Sequence, residues 1–224
     1  MKVFWLANDR PWPARLAARI SARLPATLVA RADRLQRWQD RQASLAGKLL
    51  LASALQDAQV SVDLETLRWS PYGRPQLPGQ GDFNIAHTDG RVLCAWSAQG
   101  RVGVDIERLR PVRLDDYLGF FSTAEQRCIA VAARPEHELV RRWTIKEAVT
   151  KAAGLGIASG ALPDTMGEGP IAFDGCHWWV ETVVSEHYAR TLASDTALGG
   201  VPLLEMGLDE HADLHPRGEP ACWH

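Results

Sequence analysis

Cysteine, lysine and long apolar runs are all scarce in this chain, and each scarcity closes off a class of readings. Four cysteines (Cys94, Cys128, Cys176 and Cys222) lie far apart among 224 residues with no CxxC pair. That spacing excludes a disulfide framework and makes a reducing, cytoplasmic compartment the expectation. No window approaches the roughly 18 apolar residues of a membrane span, and the run Val3–Ala7 is too short for a secretory segment. A soluble protein without membrane contact is expected. Neither a Walker loop nor GxGxxG occurs, and Gly154-Leu155-Gly156 reads as a helix stop; His137-Glu138 fails HExxH because position 141 is arginine. Basic runs interleaved with aromatics are missing and the isoelectric point is near 6.4, which argues against nucleic acid as a partner.

What is present is a chain that is 46% apolar and 23% charged, long enough for one or two domains with a core that needs no staples. The net charge of −2 conceals an asymmetry. Residues 1–103 carry 14 basic and 8 acidic side chains, whereas residues 104–224 carry 11 and 19. Either this is drift plus an acidic end (Glu205, Asp209, Glu210, Asp213 and Glu219), or a basic half holds a polyanionic small molecule against an acidic half that holds a cation.

Periodicity sets out the elements. Leu16, Ile20 and Leu24 fall at helical spacing over 13–24, and Leu45, Leu49, Ala52 and Leu55 form the stripe of a longer helix from Asp40 to Ala58. Ser70-Pro71-Tyr72-Gly73-Arg74-Pro75 is a rigid turn. Phe83–His87 and Val92–Trp96 read as a hairpin, and Arg101–Glu107 as a third strand. Ser122-Thr123-Ala124-Glu125 has the capping-box form and opens a helix to about Ala133. Pro135 starts the strongest helix, which Gly154 ends. Strands follow at Ile171–Phe173, Trp178–Val184 and Tyr188–Ala193. Helices followed by antiparallel strands, twice, predict an α+β fold of two similar subdomains, each with antiparallel strands packed on helices. The expected boundaries are 1–103, 104–207 and a loosely ordered polar tail over 208–224, whose His211, His215, Cys222 and His224 are not read as a metal site.

Chemistry concentrates in two of these elements. On a strand of period two, Val102, Val104 and Ile106 turn to the core, so Gly103, Asp105 and Glu107 share the other face. The two carboxylates then stand about 6.5–7 Å apart at Cα. Such a face is either a solvated strand end or a site for a hard cation such as Mg²⁺, which takes one or two carboxylates and completes its shell with water and phosphate. On the strongest helix Trp143, Glu147 and Lys151 are spaced i, i+4, i+8, and two of the chain's four lysines lie there. Read alone, Glu147 and Lys151 are equally well a surface pair.

Together the two segments resemble the paired signature of 4′-phosphopantetheinyl transferases, GxDxE (Gly103–Glu107) followed some forty residues on by WxxKExxxK (Trp143–Lys151). Tyr72-Gly73-Arg74-Pro75, Phe83-Asn84-Ile85-Ala86-His87 and Phe120–Glu125 resemble further motifs of that family, in order. About a hundred residues precede the GxDxE strand, as in the surfactin-type members, which the resemblance describes as monomeric pseudo-dimers with one site between the halves.

That resemblance implies transfer of the 4′-phosphopantetheine arm of coenzyme A to a serine of an apo acyl or peptidyl carrier protein, releasing 3′,5′-ADP. It implies Asp105, Glu107 and Glu147 as Mg²⁺ ligands, with Glu147 also the base for the carrier serine and Lys151 on the transferring phosphate. Coenzyme A would be held by Arg31, Arg41, Arg74, His87, Thr88 and Lys151, in a basic N-terminal subdomain facing a C-terminal one that carries metal and catalysis. The chain departs from the family at Ala86, where serine is usual, and at Ala43, where a basic residue is. Two alternatives are a Mg²⁺-dependent nucleotide-diphosphate hydrolase using the same acids and a non-catalytic protein that binds coenzyme A or a carrier.

Overall fold

The computed structural model describes residues 1–61, 63–156 and 160–223. In chain order the elements are β1 (Lys2–Asn8), α1 (Ala14–Arg23), α2 (Ala26–Asp33), α3 (Trp38–Asp57), β2 (Arg68–Trp69), β3 (Pro75–Gln76), β4 (Asp82–Thr88), β5 (Gly90–Ser97) and β6 (Val102–Arg108). There follow α4 (Thr123–Val131), α5 (Pro135–Ala153), β7 (Ile171–Phe173), β8 (Cys176–Val184), β9 (Tyr188–Ser194), β10 (Pro202–Leu208), β11 (Leu214–Pro216) and β12 (Ala221–Cys222). No described helix is long and apolar enough to cross a membrane.

The expected α+β doubling is present. A strand leads to a long helix and then to a hairpin whose second strand pairs with the first: β1–α3–β4–β5 in one subdomain, β6–α5–β8–β9 in the other. The resulting order, first–third–second, is the same in both sheets. Local chemistry accounts for the helix ends. Ser122 and Glu125 make the reciprocal capping box of α4. Pro135 opens α5, and Gly154 stops it at φ +81°, a left-handed backbone that costs glycine little.

Three of the resulting apolar layers position the site. One lies between α1–α3 and the first sheet and a second between α5 and the second sheet. The third joins the sheets to each other through Val3, Ala86, Leu93, Val102, Val104 and Ile106. A dry layer of this kind fixes one subdomain against the other, so that residues on β4 and β6 keep a constant relation.

The C-terminal stretch corrects the expected boundaries. Residues past 208 do not form a loose tail. β10 runs parallel to β1, with Val3 opposite Leu203, and β11 and β12 pair with β10. Trp223 is fully buried between the sheets, where its indole N–H donates to the Glu181 carbonyl at 3.0 Å and its own carbonyl accepts from Arg190. One large aromatic anchors a segment whose polar composition suggests solvent. The first sheet is therefore built from both ends of the chain, and a border at 207 would cut through it. His224 lies outside the described residues.

A buried ion pair locks α4 to α5. Lys146 and Glu125, only 2% and 1% exposed, approach to 2.9 Å, and Lys146 also donates to the Pro163 carbonyl. Burial alone would raise the Glu125 carboxyl, but hydrogen bonds from Lys146, Thr165 and the Ser122 backbone outweigh it and hold the group at about 2. A carboxyl depressed from 4.5 to about 2 stabilises the fold fully above the higher value and loses that contribution as pH falls through the lower. The loss is on the order of 3 kcal/mol. Urea unfolding between pH 5 and 2 is expected to show this slope, and Lys146→Ala to remove it while costing about 3–5 kcal/mol at neutral pH by stranding the carboxylate. An unaltered acid slope in Lys146→Ala would contradict this account.

Candidate active site

α5 lies unusually close to β6, and Gly103 is the reason. A Cβ there would run into the Ala148 carbonyl oxygen and come within 2.6 Å of the Ala152 amide nitrogen. Without a side chain at 103, the strand face that carries Asp105 and Glu107 meets the helix face that carries Glu147 and Lys151. Val102, Val104 and Ile106 occupy the opposite, intersheet layer, as the period of two requires.

The four charged groups form one cluster. Lys151 Nζ stands 2.6 Å from Asp105 Oδ1 and 3.7 Å from Glu147 Oε2. Burial would lower the Lys151 ammonium, yet Asp105, Glu147 and Glu107 together raise it, so it remains charged. Burial, aided by the Asp105 charge, pushes the Glu107 carboxyl up to about 7. Burial likewise raises Glu147. Asp105 is buried and its Oδ2 has no hydrogen-bond partner. Three carboxylates are thus crowded against a single ammonium, with one buried oxygen unsatisfied. Such a set suits a hard divalent cation. Among the described residues no three ligating groups are already gathered round a common point; the Lys151 ammonium sits between Asp105 and Glu147.

The aromatic member of the helix face has a packing task. Trp143 meets Tyr117 and Phe120 edge-on, at centroid distances of 5.3 and 5.2 Å. Leu118 and Phe120, in the short helical segment Leu114–Phe120, stay exposed beside it.

The cations expected to hold coenzyme A are dispersed. His87, at the end of β4, borders a cleft of about 210 Å³ that also takes in Arg37, Asp40, Thr88, Glu107 and Arg110. His87 and Thr88 therefore sit beside the acids. Arg31 lies away from that cleft, over the Trp69 ring at 4.7 Å, and Arg41 is exposed on α3.

Arg74 does not join them. Its guanidinium, 9% exposed, pairs with Asp82 at 2.7 Å and donates to the Phe83 and Val102 carbonyls. The rigid turn aims this arginine inward, at the far end of β4 from His87. It is a clamp between β4 and β6 rather than a free phosphate ligand, and Arg74→Ala is expected to lower the unfolding free energy by about 3 kcal/mol or more, read by urea titration. Arg37, Arg108 and Arg110 are the cleft cations that sequence reading missed; none lies in a motif, and only the fold brings them to the cleft.

β4 and β6 meet as edge strands, and side chains replace the usual backbone ladder between them. Asp82 accepts from the Val102 N–H at 2.8 Å, Asn84 from Val104 at 2.9 Å and Thr88 from Arg108 at 3.1 Å. Ala86, the remaining position of that face, has no acceptor to offer. The Thr88 hydroxyl also reaches Glu107 Oε2 at 3.3 Å.

Comparison with known proteins agrees with this architecture. Residues 101–179, which span β6 to β8, match the model of the 4′-phosphopantetheinyl transferase superfamily. The 4′-phosphopantetheinyl transferase Sfp of Bacillus subtilis is 28% identical over 164 residues, covering 70% of this chain and 72% of the relative. A putative 4′-phosphopantetheinyl transferase of Synechocystis is 32% identical over 174 residues, covering 71% and 69%. The transferase HetI of Nostoc is 31% identical over 150 residues, covering 62% and 63%. With the GxDxE strand and the WxxKExxxK helix brought face to face, and similarity running well beyond them, the chain belongs to the 4′-phosphopantetheinyl transferase superfamily.

Proposed function

We propose that this enzyme transfers the 4′-phosphopantetheine group of coenzyme A to a serine of an apo acyl or peptidyl carrier protein, releasing 3′,5′-ADP. The observation that carries the reading is the cluster of Asp105, Glu107, Glu147 and Lys151 held at the meeting of β6 and α5. Asp105, Glu107 and Glu147 would hold Mg²⁺, and the unpaired Asp105 Oδ2 is the oxygen most in need of one. When bound, that ion supplies neutralisation of the pyrophosphate.

The chain's own groups do the rest. Phosphoryl transfer depends chiefly on positioning and on charge placed where it develops. As the serine Oγ–phosphorus bond forms and the bond to 3′,5′-ADP breaks, the serine proton must leave. Glu147, raised by burial, is the base suited to accept it. The Lys151 ammonium supplies positive charge where the departing phosphate gains negative charge. His87, Arg37 and Arg110 border the cleft next to the acids and would meet the nucleotide phosphates, while exposed Leu118 and Phe120 offer an apolar landing for the carrier.

Incubation with an apo-carrier, coenzyme A and Mg²⁺, followed by intact-protein mass, tests the assignment. A carrier that gains one phosphopantetheine arm supports it. Coenzyme A cleaved with no gain on the carrier indicates a hydrolase, and no reaction with any carrier indicates a binding protein.

A further inference from the structure

The rung at Thr88 differs from the others between β4 and β6. Its oxygen accepts the Arg108 N–H, and a threonine hydroxyl has a single hydrogen to give. With the backbone N–H on the oxygen, that hydrogen is directed at Glu107 Oε2. Thr88 is the one side chain that hydrogen-bonds the Glu107 carboxyl among the described residues. Lys151 pairs with Asp105 and Glu147 and leaves Glu107 out. Nor does the neighbouring rung help, since Ala86 carries no polar atom. The orientation of one acid of the second subdomain therefore depends on a hydroxyl supplied by the first.

We propose that Thr88 is a positioning residue for Glu107, fixing which way that carboxylate faces so that it can serve a divalent cation together with Asp105 and Glu147. This rests on the reading of the three acids as cation ligands. It assigns Thr88 a task other than contact with the phosphates of coenzyme A. Donors that orient a ligating carboxylate commonly change metal affinity 10–100-fold. Valine has the shape of threonine without the hydroxyl, so Thr88→Val leaves Glu107 free to rotate while the packing is retained.

Mn²⁺ is the probe, followed by electron paramagnetic resonance on the whole chain without substrate, with urea unfolding in parallel. Thr88→Val is expected to weaken Mn²⁺ binding about tenfold or more, and Thr88→Ser to restore it to within about twofold of the unaltered chain. Asn84→Ala, which removes another rung of the same seam, is expected to lower the urea midpoint and leave Mn²⁺ affinity unchanged. Unchanged affinity in Thr88→Val overturns the proposal. So does equal weakening in Asn84→Ala, which would make the effect one of general loosening, and so does an unaltered chain that binds no Mn²⁺. A chain that modifies no carrier, yet binds Mn²⁺ and loses it in Thr88→Val, would sink the transfer reading and support the positioning one.

Discussion

Asp105→Asn is expected to reduce transfer to a carrier by about 10²–10³-fold or more, the scale on which single preorganised charges act in transition states, while far-ultraviolet circular dichroism and the urea midpoint stay close to those of the unaltered chain. Asparagine keeps the volume and one carbonyl oxygen but removes the negative charge that Lys151 faces at 2.6 Å. It also changes the chemistry of the one oxygen in the cluster that is buried without a partner. Glu147→Ala is expected to fall as far, because it removes both an acid of the cluster and the group assigned to take the serine proton. Excess chelator should abolish transfer and added Mg²⁺ restore it. Full activity in Glu147→Ala would remove it from both roles, and chelator resistance would remove the metal.

Gly103→Ala is expected to cost about 1–3 kcal/mol of stability or more and about 10²-fold in transfer. One methyl group there meets backbone, the Ala148 carbonyl and the Ala152 amide, rather than the yielding end of a side chain. Either α5 moves outward or β6 bends, and both separate Glu147 and Lys151 from Asp105. A displacement of about 1 Å between reacting groups is enough for a loss of that size. Ala152→Gly removes one obstructing methyl but leaves the carbonyl, so Gly103→Ala/Ala152→Gly should regain little. Recovery of full transfer in the double variant would show that the Ala152 side chain, not the backbone, sets the approach.

The two active elements were legible in the residues because their chemistry follows local periods. A strand of period two places Asp105 and Glu107 on one side, and a helix places Glu147 and Lys151 four apart. Lys146, the other lysine of the same motif, stands outside the cluster and turns inward to Glu125, which its place in the motif does not announce. Arg74 misleads in the same way: its spacing and turn chemistry are as read, but the turn directs the side chain into the protein. Contacts between distant segments leave no local signal. Residues 3–7 are all apolar, but nothing in them announces a strand whose parallel partner begins at residue 202. Trp223 is a lone aromatic in a polar stretch, and nothing nearby shows that it is core. Gly103 stands in a motif without declaring its purpose, since the helix residues it admits, Ala148 and Ala152, are more than forty positions away.

The parallel pairing of β1 with β10 also governs how the chain is made. β1 is translated long before β10, so until β10 has emerged β1 forms the open edge of a half-finished sheet. Bare strand edges recruit other chains, and contacts of such long sequence separation form slowly. Nascent chains of this protein should therefore be most vulnerable to clumping after β6–β9 have emerged but before β10 has closed that edge.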